Sequence, residues 1–297
     1  MAAKKVYYGG QAVIEGVMMR GQKNVVTAVR RPSGDVAIDT KPLDTIYTGR
    51  WRKTPLIRGI IVLIETLVLG IRTLLYSANM ALGEEEQQKT SGGLVWVMVA
   101  VSLAFVVGLF FLAPLYLTRL LNIPQGVAFN LIDGVIRLAI FIAYLKLTTL
   151  MPDIRRVFAY HGAEHMAINA YENGVPLEVD AARKYSTAHV RCGTSFLFAV
   201  LVIAIIVFSF VRPTTFGWIV VSRIALLPVI AALGYEVTQF GARHTQNGFV
   251  RAMLAPGLWL QAMTTRQPDD KQLEVALSAL KRVIEVDQLE EAGQPSV

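Results

Sequence analysis

Four apolar runs, each long enough to cross a lipid bilayer, constrain this chain more than anything else in it. A crossing helix needs about 20 mostly apolar residues. The runs at 94–117 and 194–211 carry no charge. The run at 126–150 holds Asp133, Arg137 and Lys146, and the run at 217–237 holds Arg223 and Pro228, with Glu236 at its end. Only 17% of the 297 residues are charged and 54% are hydrophobic, which is too apolar for an ordinary soluble enzyme. A net charge of +7 would suggest nucleic acid for a soluble protein. In a membrane protein it is the excess expected of Lys and Arg facing anionic lipid, so the bilayer is the expected partner and no nucleic acid is. One cysteine, Cys192, rules out an intrachain disulfide. No apolar stretch follows the basic start "MAAKKVYYGGQ", so no signal peptide is expected there.

Loop charges set an expected orientation. The links after the first and third runs hold Arg119 and Arg212, whereas the segment between the second and third holds Arg155, Arg156, Arg183, Lys184 and Arg191. Cationic loops stay cytoplasmic, which puts both termini and the segment 151–193 on the cytoplasmic side of the membrane. The segment 54–80 is apolar but repeats Arg58, Glu65 and Arg72 at seven-residue intervals. One polar stripe fits an amphipathic interfacial helix, or one packed on the bundle, better than a span. Thr54-Pro55 is a good place for it to start.

Residues 1–50 read differently. "NVVTAVRRPSGDVAIDTKP" alternates on both sides of a turn and predicts a β-hairpin. The Gly-punctuated "YYGGQAVIEGVMMRG" before it predicts irregular strands. In the region 238–290, Leu273, Leu277, Leu280 and Ile284 lie on one stripe behind a cap at Asp269 or Asp270, an amphipathic helix outside the membrane. The tail "EEAGQPSV" is expected to be disordered.

The chemistry concentrates in "YHGAEHMAINAYENG", residues 160–174. On a helix, His161, Glu164 and His165 share one face. Two imidazoles one turn apart can ligate a divalent cation, and a carboxylate between them can take a proton from a coordinated water. The pattern H-x-x-E-H is the reverse of the H-E-x-x-H zinc-protease motif. Three fixed positions in five also recur by chance, so a pair of surface histidines is the plain alternative. Zinc suits such ligands best. With Glu236 as third ligand, the site keeps an open position and Glu164 is its base. With His189 and Cys192 instead, the tetrahedron closes and the site is structural. His244 is expected in a supporting or surface role.

Cys192 is also weighed as a nucleophile activated by Arg191 and the start of a helix, against a small packing residue. Glu15 either finds a salt-bridge partner, joins the metal site or sits at a strand edge on the surface. Asp133 and Arg137, one turn apart inside a span, pair or serve function, while Lys146 and Arg223 are expected to snorkel to the membrane surface.

"GGQAVIEGVMMRG", "YHGAEHMAINAYENG", "HVRCGTSF", "YE" after the last span and "PGLWLQAMTTRQPDDKQLEVALSAL" resemble, in that order, the signature blocks of the YqhQ-like family of bacterial membrane proteins. The resemblance covers nearly the whole chain. It implies a multi-spanning, cytoplasm-facing protein labelled a metal-dependent enzyme. The family form has Pro after the histidine of the third block, where Val190 stands here.

The expected fold is an all-α bundle of four membrane helices spanning 94–237, with a small N-terminal β-element and an interfacial amphipathic helix. The expected function is hydrolysis at a metal site on the cytoplasmic face. The alternatives are an assembly or translocation-associated factor with a structural metal site, bound to a membrane-protein partner or a second copy of the chain, and a transporter using Asp133 and Arg137.

Overall fold

The computed structural model describes residues 6–82, 92–211 and 215–293. It begins with an antiparallel meander of β1 (Gly9–Val13), β2 (Gly16–Arg20), β3 (Asn24–Arg30) and β4 (Val36–Pro42) in sequence order. The predicted hairpin is β3–β4, pairing Arg30 with Val36 and Asn24 with Pro42. The stretch expected to be irregular is regular instead. β1 and β2 pair from Gly9↔Arg20 to Val13↔Gly16 around a two-residue turn in which Glu15 adopts φ 52°. Gly16 is required there, because a Cβ on it would lie 2.2 Å from the Ala28 carbonyl oxygen.

Two short turns, α1 (Thr45–Thr48) and a 3-10 turn at Arg50–Lys53, lead to α2 (Ile57–Ala81). Leu56, at φ 66°, caps α2, so the helix starts later than Thr54-Pro55 predicted. After it come α3 (Gly92–Val107), a π turn at Gly108–Leu112, α4 (Ala113–Leu120), α5 (Val127–Thr148) and α6 (Pro152–Glu172). A short α7 (Val179–Ala182) precedes α8 (Gly193–Phe210), α9 (Phe216–Ala225), α10 (Leu227–Arg243), α11 (Gly248–Thr264) and α12 (Asp270–Glu291).

Among the described residues, four stretches are long and apolar enough to cross a membrane: Ile57–Ala81, Trp96–Leu120, Val127–Thr148 and Gly193–Phe210. The pair Gly217–Ala225 and Leu227–Arg243, bent by 42°, makes a fifth if counted as one span. The break falls just before Pro228, which has no N–H to continue the helix. α2 therefore qualifies by length and composition, despite its polar stripe.

The pieces that the sequence separates share one core. Val17, Met19, Val26 and Ala28 on one face of the sheet pack with Tyr160, Ala163, Met166 and Ala167 of α6 and with Leu273, Leu277, Leu280 and Val283 of α12. The opposite face, through Val13, Met18, Val25 and Val29, packs on Leu69 of α2, with Tyr76 and Met80 alongside. Strands buried on both faces cannot alternate polar with apolar residues, hence the near-continuous apolar run of β2 and β3. Asp269 caps α12 in a reciprocal capping box with Gln272. The helix continues to Glu291, into the tail expected to be disordered, and residues 294–297 lie outside those described.

In the apolar bundle, α8 and α10 run antiparallel. Ile230 meets Ala204 and Phe208, and Gly234 sits against Val200 and Phe196. Asp133 and Arg137 pair as predicted, at 2.8 Å. Arg223 does not reach for the surface as expected. It is buried, bonded to Asp133 at 3.2 Å and to the Asn130 amide oxygen at 2.9 Å, and stacked 4.0 Å over the Phe208 ring. The pair is thus a three-charge cluster whose two guanidinium groups share one carboxylate oxygen. Lys146 is exposed at the end of α5.

Candidate metal centre

α6 holds both motif histidines with their ring centroids 4.4 Å apart. The helix forms because Pro152 occupies its first turn, Asp153 complements its N-terminal dipole, and Gly174 at φ 70° ends it after Asn173. Gly162, between His161 and Glu164, is where the chain after α11 crosses α6. A Cβ there would lie 2.0 Å from the Arg266 carbonyl oxygen, and the Arg266 N–H bonds the Phe158 carbonyl at 2.9 Å.

Each imidazole is fixed by a backbone carbonyl. His161 Nδ1 lies 2.9 Å from the Thr264 oxygen, and His165 Nδ1 lies 2.6 Å from the Thr187 oxygen. A carbonyl can only accept, so each Nδ1 carries the proton and donates, leaving both Nε2 atoms to face inward. Outer carbonyls fix metal-ligating histidines in this way. His161 Nε2 meets the Cys192 thiol at 3.2 Å. One ligand atom from each of His161, His165 and Cys192 falls within 4.8 Å of the others, the spacing of a shared ion. Two imidazoles and a thiolate are the donor types zinc prefers, so the residues present fit a divalent metal.

Cys192 caps α8, its sulfur accepting the Thr194 N–H at 3.4 Å. Burial opposes its ionisation, but hydrogen bonds and charge from His161 and His165 outweigh burial and draw the thiol down to about 4. Burial likewise opposes protonation of His165, yet the Glu164 carboxylate and the thiolate raise it to about 9. His161 shifts up for the same reasons, against its own burial. The thiolate that a metal requires is therefore already favoured.

Glu164 is buried, with Oε2 3.3 Å from His165 Nε2. β1 closes over it: a Cβ on Gly10 would lie 2.9 Å from Glu164 Oε1. His189 stands beside the cluster, its ring 5.7 Å from that of His165. Burial lowers its pKa, and its Nε2 has no hydrogen bond, with Glu172 Oε2 3.6 Å away.

The structure does not bring every predicted residue here. Glu236, expected as third ligand, is held by Arg58 (Nε to Oε1, 2.8 Å, and a second bond from Nη2) and by the Leu56 N–H at 3.0 Å. Cys192 is the residue whose ligand atom lies with those of His161 and His165. Glu15, in the β1–β2 turn, pairs with Arg156 through two bonds of 2.6 Å, the salt-bridge alternative. Arg191 bonds Glu172 and stacks 4.4 Å over Tyr7, while the contacts that lower the thiol come chiefly from His161 and His165. His244 stacks on Phe240, away from the site. Asp133 and Arg137 belong to the three-charge cluster with Arg223 described above.

Sequence reasoning missed four supports: the Thr187 and Thr264 carbonyls, Gly10, and Gln261. The last clamps the His189 backbone from both sides, accepting its N–H at 2.8 Å and donating to its carbonyl at 2.9 Å. Gln261 lies in "PGLWLQAMTT", where a polar residue in an apolar helix was a usable signal.

No solved structure matches the chain. It is similar to a protein of Bacillus subtilis (strain 168) described as "Uncharacterized protein YqhQ", at 34% identity over 305 residues covering 97% of this chain and 95% of that protein. The model of the family described as "Protein of unknown function (DUF1385)" matches residues 54–286, and with that span and that relative the chain belongs to the DUF1385 family.

Proposed function

We propose that this protein is a multi-pass protein of the bacterial cytoplasmic membrane that hydrolyses its substrate at a metal centre on the cytoplasmic side. The long apolar helices support membrane insertion. The cationic segment around α6 supports the orientation, and the core shared by the sheet, α6 and α12 keeps the N-terminal sheet, the site and the C-terminal helix on one side.

The single observation that carries the reading is that two carbonyl-fixed imidazoles and a thiolate converge beside a buried carboxylate. Three protein ligands leave a fourth position for water, the arrangement of a catalytic site. A divalent ion held there supplies Lewis acidity and brings the pKa of a coordinated water toward neutrality. Glu164 would act as the general base, accepting a proton from the attacking water and passing it to the leaving group as the bond to the substrate carbonyl carbon breaks. His161, His165 and Cys192 would hold the ion. The Gly10 strand excludes solvent from Glu164.

Glu164→Gln tests this. In purified, metal-loaded protein assayed on a panel of ester and peptide substrates, the variant should keep its metal and lose about 10²–10⁴-fold in hydrolysis. Equal turnover by wild type and variant would remove Glu164 from the chemistry.

One observation favours a second reading. His189 Nε2 is buried without a hydrogen bond beside the cluster and can serve as a fourth ligand. A His3Cys site is closed and structural, as an assembly factor would use it. His189→Ala separates the two: a structural site loses metal affinity, whereas a three-ligand catalytic site retains it.

A further inference from the structure

We infer that α2 and α11 do not cross the membrane but lie on its cytoplasmic surface, their exposed apolar faces seated among the phospholipids of that leaflet. The inference rests on the membrane reading above and settles which apolar helices carry the crossings.

The argument is one of parity. The sheet, α6 and α12 share one core, so they stand on the same side of any bilayer. Between β4 and α6 the chain must therefore cross an even number of times. Three stretches in that interval are long and apolar enough: α2, Trp96–Leu120 and Val127–Thr148. One of them must stay behind. The last two pack on each other, with Leu115 against Phe129 and Phe110 edge-on to Phe141 and Tyr144. α2 is instead tied to the sheet. Glu65 bonds Arg20 at 2.9 Å, Leu69 enters the core under the strands, Ser77 accepts the Ile14 N–H at 3.2 Å, and Arg31 reaches Met80. At about 1.5 Å per residue, the stretch from Glu65 to Met80 keeps roughly 22 Å of α2 against the sheet. What precedes it is too short to span about 30 Å of hydrocarbon.

The same reasoning applies at the other end. α8 leaves the site side at Cys192, and α10 returns antiparallel to it. α11 then begins and ends on that side. Its Leu254 lies against Gly241 of α10, its Gly257 against Ser195 at the start of α8, and the Thr264 carbonyl bonds His161. A crossing by α11 would put α12 on the wrong side of its own core.

Both helices present apolar side chains outward. On α2, Ile60, Ile64, Leu67 and Leu74 are exposed at positions that share one helical stripe. On α11, Phe249, Met253 and Trp259 are exposed along one broad face. Such faces on helices confined to the membrane surface call for lipid. Exposed Trp51 and Trp259 suit headgroup depth, and exposed Arg72 and Arg251 suit anionic phospholipid. The two helices would hold the metal centre at the level of the headgroups.

The experiment introduces one cysteine at a time into the full chain at exposed positions: Gln125→Cys between α4 and α5, Leu82→Cys after α2, and Gln246→Cys before α11. Intact cells are treated with a membrane-impermeant maleimide, with wild type, whose Cys192 is buried, as background. Gln125→Cys should label in intact cells, and the other two only after permeabilisation. Labelling of Leu82→Cys or Gln246→Cys on the same side as Gln125→Cys would overturn the inference while leaving membrane insertion intact. Extraction of the protein by alkaline carbonate, with no site labelled from outside, would sink the membrane reading itself. A nitroxide at Phe249→Cys or Ile64→Cys, in phosphatidylglycerol/phosphatidylethanolamine vesicles, tests the occupant. Greater collision with oxygen than with a water-soluble nickel chelate supports lipid. The reverse overturns the leaflet as occupant and points to a protein partner.

Discussion

His161 Nε2 lies 3.2 Å from the sulfur of Cys192, 31 positions further along the chain. Detergent-purified protein, prepared without chelator, should therefore carry about one equivalent of divalent metal by elemental mass spectrometry. His161→Ala/His165→Ala and Cys192→Ala should each lose it. Metal retained in the double variant would place the ion elsewhere, and metal-free wild type after zinc, iron or manganese supplementation would refute the site.

The same contact makes the chelated protein acid-sensitive. The folded Cys192 value of about 4 lies below the thiol's ordinary 9.0, because the His161 and His165 contacts outweigh burial. A depressed acid stabilises the fold fully above its unfolded value, progressively less as the pH falls, and not at all below its folded value. His165, raised to about 9, offsets the thiol's proton deficit above the ordinary imidazole value of 6.5. Melting temperatures of the metal-free protein should therefore fall between about pH 6.5 and pH 4 more steeply than those of Cys192→Ala. Parallel profiles would show that the thiol is not ionised in the fold.

Glu236 should be dispensable for metal. Its carboxylate is engaged by Arg58 and the Leu56 N–H, so Glu236→Gln should keep a full equivalent of metal and cost about 1 kcal/mol of stability. Loss of metal in this variant would restore Glu236 as a ligand.

Asp133→Asn should be among the most damaging single changes in the bundle. It removes the carboxylate shared by Arg137 and Arg223, leaving two buried guanidinium groups unpaired at a cost of about 3–5 kcal/mol. Replacing all three charges with Leu or Met should recover much of that loss. Thermal unfolding in detergent reads both, and an unchanged Asp133→Asn melt would show that water reaches the cluster.

Leu280→Ala tests whether sheet and C-terminal helix are one unit. Leu280 is fully buried between α12 and its neighbours, and truncation should cost about 2–5 kcal/mol. Amide exchange should then accelerate in β2 and β3 as well as in α12. Faster exchange confined to α12 would separate the two.

Most of the secondary structure is legible in the sequence. The apolar runs, the β3–β4 hairpin, the Asp269 cap and the shared face of His161, Glu164 and His165 all follow from local periodicity and turn chemistry, which a sequence carries directly. Tertiary packing decided the rest. Nothing local distinguishes Glu236 from a ligand or Cys192 from a packing residue. Glu236 turns away because α2 brings Arg58 to the end of α10, and Cys192 turns in because it caps α8 beneath α6. The strands β2 and β3 are apolar on both faces only because α2 covers one face and α6 with α12 the other. Residues far apart in the chain meet where burial of one apolar surface forces another against it, and that choice of partners is a property of the whole fold rather than of any segment.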